Sequence, residues 1–343
     1  MLENTEKPRP TLKSIAYLTG LGISTVSRAL KDGEEISAET RARVKLIAQQ
    51  IGYRPNRAGV RLRTGKTNVI TVVLNAEQDS TGTGFFSDFV YGVSEGLNDT
   101  PYHLVITPYS LHDPMEPIRY IVETGSADGV IISRTQPNDP RVRYLIENNM
   151  PFATHGRTDM GLTHPYHDYD NEAFAFEAVR ILSHRGRRRL TLLGPPRELT
   201  YSTHTNLGFE RGVAQFGAEV VPYASTDIDA TLEHLRAAGR TLAQLDVRPE
   251  GFVCSSMSAS FALMAGYRDL GLEIGRDYDI VTKHTTELIK LFNPSLISIP
   301  EDFREAGRAL ATLLVASING APAASLQSLA RPIEHQIATI MRG

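Results

Sequence analysis

Ile23, Ser24, Ser27 and Arg28 are the outward positions of a short run, GISTVSRAL. A guanidinium and two hydroxyls on the first turns of a helix suit contacts to base edges and phosphates in a DNA major groove. Arg28 carries the sharpest chemistry, because its planar fork matches the O6 and N7 acceptors of guanine. A lone arginine on a helix is usually just solvated, so Arg28 takes its meaning from the elements that position it.

Ile15, Ala16, Leu18, Leu21, Val26, Ala29 and Leu30 recur near helical spacing. They predict two short amphipathic helices, the second over about 23–30. Gly20 falls at the tight turn between them, where positive φ is expected. In a helix-turn-helix the N-terminal part of the second helix enters the major groove. A third helix is predicted from Ser37 as N-cap to Gly52 as stop. Val44, Ile47, Ala48 and Ile51 form its buried stripe, with Tyr53 over its end. Arg54 and Pro55 then open a basic segment with Val60 and Leu62 as apolar residues and Arg57, Arg61 and Arg63 as charges. It is too short to be a stable helix alone. Two readings stand side by side: a hinge that orders on DNA and a partner chain, its leucine wedging between base pairs, or a solvated basic linker.

Charge separates this head from the rest. Residues 1–66 hold 13 Lys+Arg against 6 Asp+Glu, whereas the remaining 277 residues hold 23 against 33. A basic head on an acidic body fits polyanion binding confined to the head, with strong salt dependence. At 343 residues, a small head and two core-building domains are expected. The apolar runs fall short of a membrane span, and MLENTEKPRP has no apolar signal core. The single cysteine, Cys254, permits no internal disulfide and suits a reducing cytoplasm. Following Phe252 and Val253, it reads as strand packing.

Beyond residue 66 short apolar runs alternate with longer amphipathic ones. Strands are expected at 69–74, 103–109, 128–133, 151–156, 190–194, 251–255, 279–282 and 296–300. Helices are expected at 86–97, 118–124, 141–148, 172–184, 206–216, 231–245, 258–270 and 303–318. This alternation implies an α/β body with parallel sheets and right-handed crossovers, in two similar subdomains. His155, His164, His167, His184, His204 and His284 lack metal-ligand spacing with Cys or Glu, so structural hydrogen bonding is the default. No nucleophile elbow, P-loop or paired-carboxylate pattern is present, and neither enzyme activity nor a cofactor is expected. The Arg187–Arg189 run reads as a solvated turn.

TLKSIA, GISTVSRAL, ISAETRARV and GYRPNRAGVRL resemble the DNA-binding headpiece of the lactose-repressor (LacI/GalR) family. The resemblance continues through GFFSDFVYGV, DGVIIS, HGR, DYDN, HRGRRRL and NLGFERGV. It implies a helix-turn-helix headpiece (1–53), a hinge helix and linker (54–66), and a two-lobed body like a periplasmic sugar-binding protein (67–343). The implied first lobe covers about 67–166 and 296–324, the second about 167–295 and 325–343. Ile23, Ser24 and Arg28 would read bases. Thr25, Ser27 and Asn56 would contact phosphate or backbone, Arg57 would add charge, and Leu62 would intercalate at the centre of a palindromic operator. Gly22 stands where the family usually has a serine cap, and Gly59 replaces a usual hinge alanine, which lowers helicity.

The resemblance places an effector between the lobes, at the carboxyl ends of the strands. Phe85 and Phe86 occupy effector-lining positions, though core packing explains two phenylalanines equally well. The family's frequent Arg–Asp ligand grip is absent: Thr205, beside His204, stands at the arginine position, Lys283 and His284 at the aspartate, and Met257 at a further aspartate. Tyr201, Arg157, Asp168 and Asp170 add polar groups. A sugar-like effector is implied, with any acidic group facing Lys283; a non-sugar metabolite is the alternative. The function implied is a dimeric repressor of a carbohydrate-utilisation operon released by its effector, against an activator or corepressor-dependent regulator on the same scaffold. PIEHQIATIMRG offers no leucine heptad, so a dimer rather than a tetramer is expected.

Overall fold

The computed structural model describes residues 10–53, 61, 65–75, 85–109, 113–223, 225–284 and 293–332. Asn56, Arg57, Gly59 and Leu62 lie outside them, as does the side chain of Phe85. The chain divides into Met1–Thr67 and Asn68–Gly343.

In the head, α1 (Leu12–Thr19) begins at Thr11, whose side chain caps the Ser14 amide while Ser14 returns a bond to the Thr11 amide. This reciprocal box satisfies two amides that the helix start leaves open. Gly20 ends the helix at φ 69°, the left-handed conformation that the turn requires. α2 (Ile23–Ala29) follows, with Gly22 as a cap that makes no side-chain bond. α3 (Ala38–Gln50) is capped by Ser37. Ile15, Ala16, Val26, Ala29, Val44 and Ala48 close the core, with Leu21, Ile47, Ile51 and Tyr53 packed against it. Leu18 departs from expectation: it is 50% exposed, one position off the buried stripe set by Ile15, Ala16 and Thr19.

The body is built on two all-parallel sheets. The first contains β1 (Val69–Asn75), β2 (His103–Tyr109), β3 (Gly129–Ile132), β4 (Phe152–His155), β5 (Tyr166–Tyr169) and β11 (Gln327–Ala330), in the order β11-β5-β4-β3-β1-β2. The second contains β6 (Arg189–Leu193), β7 (Glu219–Val220), β8 (Gly251–Cys254), β9 (Asp279–His284) and β10 (Ile297–Pro300), in the order β10-β9-β8-β6-β7. Three strands depart from the lobe boundaries expected above. β5, most of which was expected in the second lobe, pairs with β4 in the first sheet; β11 pairs with β5 there too, and β10 hydrogen-bonds into the second sheet. Hydrophobic rhythm marks a strand but not the sheet that claims it. β5, β7 and β11 were not anticipated, being short and polar or flanked by loops.

Helices cover both faces of each sheet, which explains the near-continuous apolar strands. On the first sheet, Ile70, Val72 and Leu74 face α4 (Phe85–Gly96) and α11 (Phe303–Ile318). Val73, Val130 and Ile132 face α5 (Glu116–Thr124) and α6 (Pro140–Glu147). On the second sheet, Val253 and Val281 meet α7 (Asn171–His184) and α8 (Thr200–Phe216), while Phe252 and Ile280 meet α9 (Leu232–Ala243) and α10 (Met257–Arg268).

The arginine turn before β6 is not simply solvated. Arg187 Nε lies 2.7 Å from the Asp279 carboxylate, Arg185 Nε is 3.2 Å away, and Asp279 is buried. A buried carboxylate needs partnered charge, and these arginines supply it, fastening the turn to β9. Arg189 pairs with Glu250 beside it.

α4 and α11 meet backbone to backbone. A Cβ on Gly92 would lie 1.9 Å from the Arg304 carbonyl oxygen, and one on Gly307 would lie 2.2 Å from that of Phe89. Gly92→Ala is therefore expected to force the helices apart and cost ~2–3 kcal/mol, read as a lower urea midpoint with unchanged slope. An unchanged midpoint would show that the contact is not tight in solution.

Candidate functional site

Two surfaces gather the chemistry, one in each part of the chain. In the head, Ile23 is 45% exposed and Ser24 and Arg28 are also exposed, while Thr25 and Ser27 are half-buried. They share the outward face of α2, opposite Val26 and Ala29. Arg28 meets Glu35 at 3.7 Å with both side chains more than half exposed, a pairing worth little in water. Its guanidinium is thus available to a partner.

In the body a cavity of about 190 Å³ opens at the carboxyl ends of the strands of both sheets. That is room for on the order of a dozen waters, hence for a small organic molecule. Strand ends supply Asn75 at the end of β1, Ser133 after β3, His155 in β4, Ser255 after β8 and Lys283 in β9. Parallel sheets place ligands there because the chain diverges into separate loops beyond those ends. Phe86 and Phe303 add aromatic walls.

Of the sequence-predicted effector residues, Phe86, Asp168, Tyr201 and Lys283 line this cavity. Arg157 and His204 sit one step behind. Arg157 Nε donates to Asp168 at 2.7 Å, and its other arm reaches His204 Nδ1 on α8 at 3.3 Å. Asp170 caps α7, accepting from the Ala173 amide at 2.9 Å. Thr205 does not face the cavity: it is fully buried, and its hydroxyl donates to the Tyr201 carbonyl at 2.7 Å. α8 begins at Thr200, six residues before the expected start, and that turns Thr205 inward. His284 is buried outside the lining set; its carbonyl accepts from the Glu301 amide at 2.9 Å.

Lys283 departs from its expected role. Its ammonium lies 2.9 Å from Glu301, donates to Asn171 and sits over the rings of Tyr169 and Phe174. The side chains of Lys283 and Glu301 are 7% and 10% exposed. The charge expected to meet an acidic ligand is already met from within.

Sequence reasoning missed Arg134 and Asp229, both on the cavity wall and 2.5 Å apart. Arg134 follows β3 at φ 56°, a left-handed conformation that is uncommon outside glycine. Arg141, itself buried against Asp139, donates to the carbonyls of Ser133 and Arg134 at 3.1 and 2.9 Å and holds that turn. Asp229 lies in the segment between β7 and α9, where Ile228 bonds to Gly194 beyond β6. The position of Arg134 directly after DGVIIS, at a strand's carboxyl end, was a usable signal; Asp229 carried none.

The histidines have structural surroundings. His155 packs between Phe89 and Phe303, with ring centroids at 5.5 and 5.8 Å. His164 stacks on Phe152, and His167 bonds Ser328 across to β11. Among the described residues no group of three His, Cys, Asp or Glu side chains is arranged to hold a metal ion. Cys254 is buried, and burial pushes its thiol up to about 11, so it stays protonated at neutral pH. No helix among the described residues is long and apolar enough to cross a membrane.

Comparison with known proteins finds the same two-part organisation. Residues 11–56 match the family described as bacterial regulatory proteins, lacI family, and residues 179–336 match a periplasmic binding protein-like domain. The chain is 31% identical over 313 residues to the HTH-type transcriptional regulator AglR of Rhizobium meliloti (strain 1021), which covers 90% of this chain and 87% of that protein. It is 26% identical over 316 residues to the HTH-type transcriptional regulator CelR of Thermobifida fusca, covering 91% and 93%. A solved CelR–cellobiose complex superposes with a TM-score of 0.69 at 24% identity, over 95% of this chain and 98% of that one. The Lac repressor dimer bound to operator and the anti-inducer ONPF superposes at 0.80 and 18% identity, over 94% and 97%. At those identities the structural likeness speaks for the fold.

The buried histidines set an expectation for pH. Desolvation holds His155 down at about 3 and lowers His164 and His167 as well. The unfolded chain takes up these protons near pH 6.5, and the folded chain does so only further down. Stability is therefore full above about pH 6.5 and falls as pH drops below it. Thermal midpoints are expected to decrease from pH 7.5 to pH 5, less steeply in His155→Gln. Equal slopes in the two proteins would contradict the burial of a neutral His155.

Proposed function

The chain belongs to the lacI family of bacterial regulatory proteins, and on that premise we propose a dimeric repressor of a carbohydrate-utilisation operon, released from a palindromic operator by a small neutral sugar-like effector. The protein is a DNA-binding transcriptional regulator, and its relatives are regulators rather than enzymes. The finer reading rests on one observation above others. Among the described residues, every charged side chain on the cavity wall is paired inside the protein: Arg134 with Asp229, Lys283 with Glu301, and Asp168 with Arg157. A cavity so compensated gains nothing from a net charge on its ligand, yet it is rich in donors and acceptors for hydroxyls. Ser255 Oγ, buried on the same wall, has no hydrogen-bond partner among the described residues, which fits a ligand hydroxyl. Phe86 and Phe303 suit the C–H faces of a sugar ring. The solved CelR relative is a complex with cellobiose.

In the head, Arg28, Ile23 and Ser24 read base edges in this proposal, with Thr25 and Ser27 on the phosphate backbone; Asn56, Arg57 and Leu62 extend the contact from outside the described residues. A pseudo-palindromic operator calls for two heads related by a twofold axis. A dimer through the body is supported by β2, an edge strand of the first sheet with Val105 and Ile106 exposed. Effector and operator are then linked reciprocally: a sugar that weakens operator binding must itself bind less well to the DNA complex.

Operator-binding anisotropy tests both halves. Arg28→Ala is expected to weaken binding by about 1–3 kcal/mol, roughly 10- to 100-fold, with its helical circular dichroism intact. Adding the effector found by a thermal-shift screen of neutral sugars is expected to release wild-type protein from the operator. Wild-type affinity in Arg28→Ala would remove the base-reading role, and tighter operator binding with sugar would replace release by corepression.

A further inference from the structure

Arg134 and Asp229 come from different lobes. Arg134 follows β3 of the first sheet, and Asp229 is anchored beside β6 of the second. Their bond at 2.5 Å lies on the cavity wall, with side chains 15% and 28% exposed. It does not join the lobes alone. The Thr200 amide and hydroxyl at the start of α8 donate to the Thr135 carbonyl at 2.9 and 3.1 Å. The family's frequent grip positions hold Thr205 and Lys283, of which the first faces inward and the second is satisfied by Glu301. Among the described residues, Tyr201 and Tyr109 lie near Arg134, the Tyr201 phenol kept neutral by burial, and the Asp227 carboxylate accepts from the Asp229 amide at 2.9 Å.

We propose that Arg134 and Asp229 form a specificity-determining clasp that selects neutral ligands bearing vicinal hydroxyls and excludes ligands of net charge. This rests on the reading of the cavity as a sugar site and says how that site chooses. A guanidinium has five N–H donors in a fixed fork, and a carboxylate has about four acceptor directions. Their mutual bond does not exhaust either group, and both side chains stand next to each other on the cavity wall. Adjacent hydroxyls match this pattern: one oxygen accepts from Arg134 while the neighbouring hydroxyl donates to Asp229. The ion pair survives, and the ligand touches both lobes at once. An anionic ligand would compete with Asp229 for Arg134 and leave the carboxylate facing another negative charge. A cationic ligand would strand the guanidinium. Either outcome puts an unpaired charge in a largely dehydrated site, which costs several kcal/mol.

The left-handed backbone at Arg134 fits this role. Strained residues persist where the surroundings over-determine them, and they gather at ligand sites. Arg141 supplies the over-determination by holding the Ser133 and Arg134 carbonyls. Arg134 itself is left to reach across to Asp229.

Calorimetric titration of the full-length protein tests the clasp. The probes are glucose, cellobiose, maltose and melibiose against glucuronate and cellobiouronate, with wild type, Arg134→Met and Asp229→Asn. Wild type is expected to bind at least one neutral sugar and to prefer it at least tenfold over the matching uronate. Asp229→Asn, which leaves Arg134 without its counter-charge, is expected to shift that ratio at least tenfold towards the uronate. Arg134→Met is expected to lose at least tenfold affinity for the neutral sugar without gaining the uronate. A structural role alone would weaken both ligands together, so an unchanged ratio in Asp229→Asn overturns the clasp while leaving the sugar site standing. Wild type that binds none of the neutral sugars overturns the sugar site and the clasp with it.

Discussion

A charge removed from water must find a partner, and the cavity between the two sheets is organised by that constraint. Burying an isolated carboxylate or ammonium would cost more than the margin by which a domain of this size is stable. Among the described residues each ionic group on the wall is accordingly matched: Arg134 to Asp229, Lys283 to Glu301, Asp168 to Arg157. The matches draw on different elements, so satisfying them also fixes where strand ends and helix starts sit around the space. What remains for a ligand is hydrogen bonding and aromatic surface rather than net charge.

The fold makes those matches possible. Two parallel sheets, each covered on both faces, present their carboxyl ends to the same space. Loops leaving those ends can carry polar side chains while the strands stay apolar. The turn after β3 shows how the scaffold pays attention to detail at this point: the buried Arg141–Asp139 pair holds two carbonyls, and the strained Arg134 projects from them. Similar logic governs the arginines before β6, which answer the buried Asp279 and tie a turn to a strand. In the head no such buried ion is needed. A small apolar core orients α2 and leaves Arg28 exposed, with Glu35 nearby at 3.7 Å.

Much of this was readable from sequence, and the limits were physical. Helical spacing placed Ile15, Val26 and Val44 in the head core, and Gly20 was where positive φ was needed. The β/α rhythm gave the architecture of the body and the last long helix, Phe303–Ile318. It could not assign β10 and β11 to their sheets, because pairing partners leave no mark on a strand's own composition. Helix starts were misjudged where polar residues open a helix, as at Thr200, and that hid the inward turn of Thr205. Lys283 lines the cavity, but its partner Glu301 lies 18 residues further on and only the third dimension joins them. Arg134 had a usable signal in its place after DGVIIS, but its pairing with Asp229, 95 positions further on, was invisible for the same reason.

The central claim is that the cavity keeps its ion pairs and meets its ligand through hydroxyls. A crystal structure of the protein with a bound neutral sugar tests this most directly. The expected result is an intact Arg134–Asp229 pair, with ligand hydroxyls hydrogen-bonded to both and to Ser255. A ligand carboxylate or phosphate seated on Arg134 or Lys283, with its protein partner displaced, would contradict it.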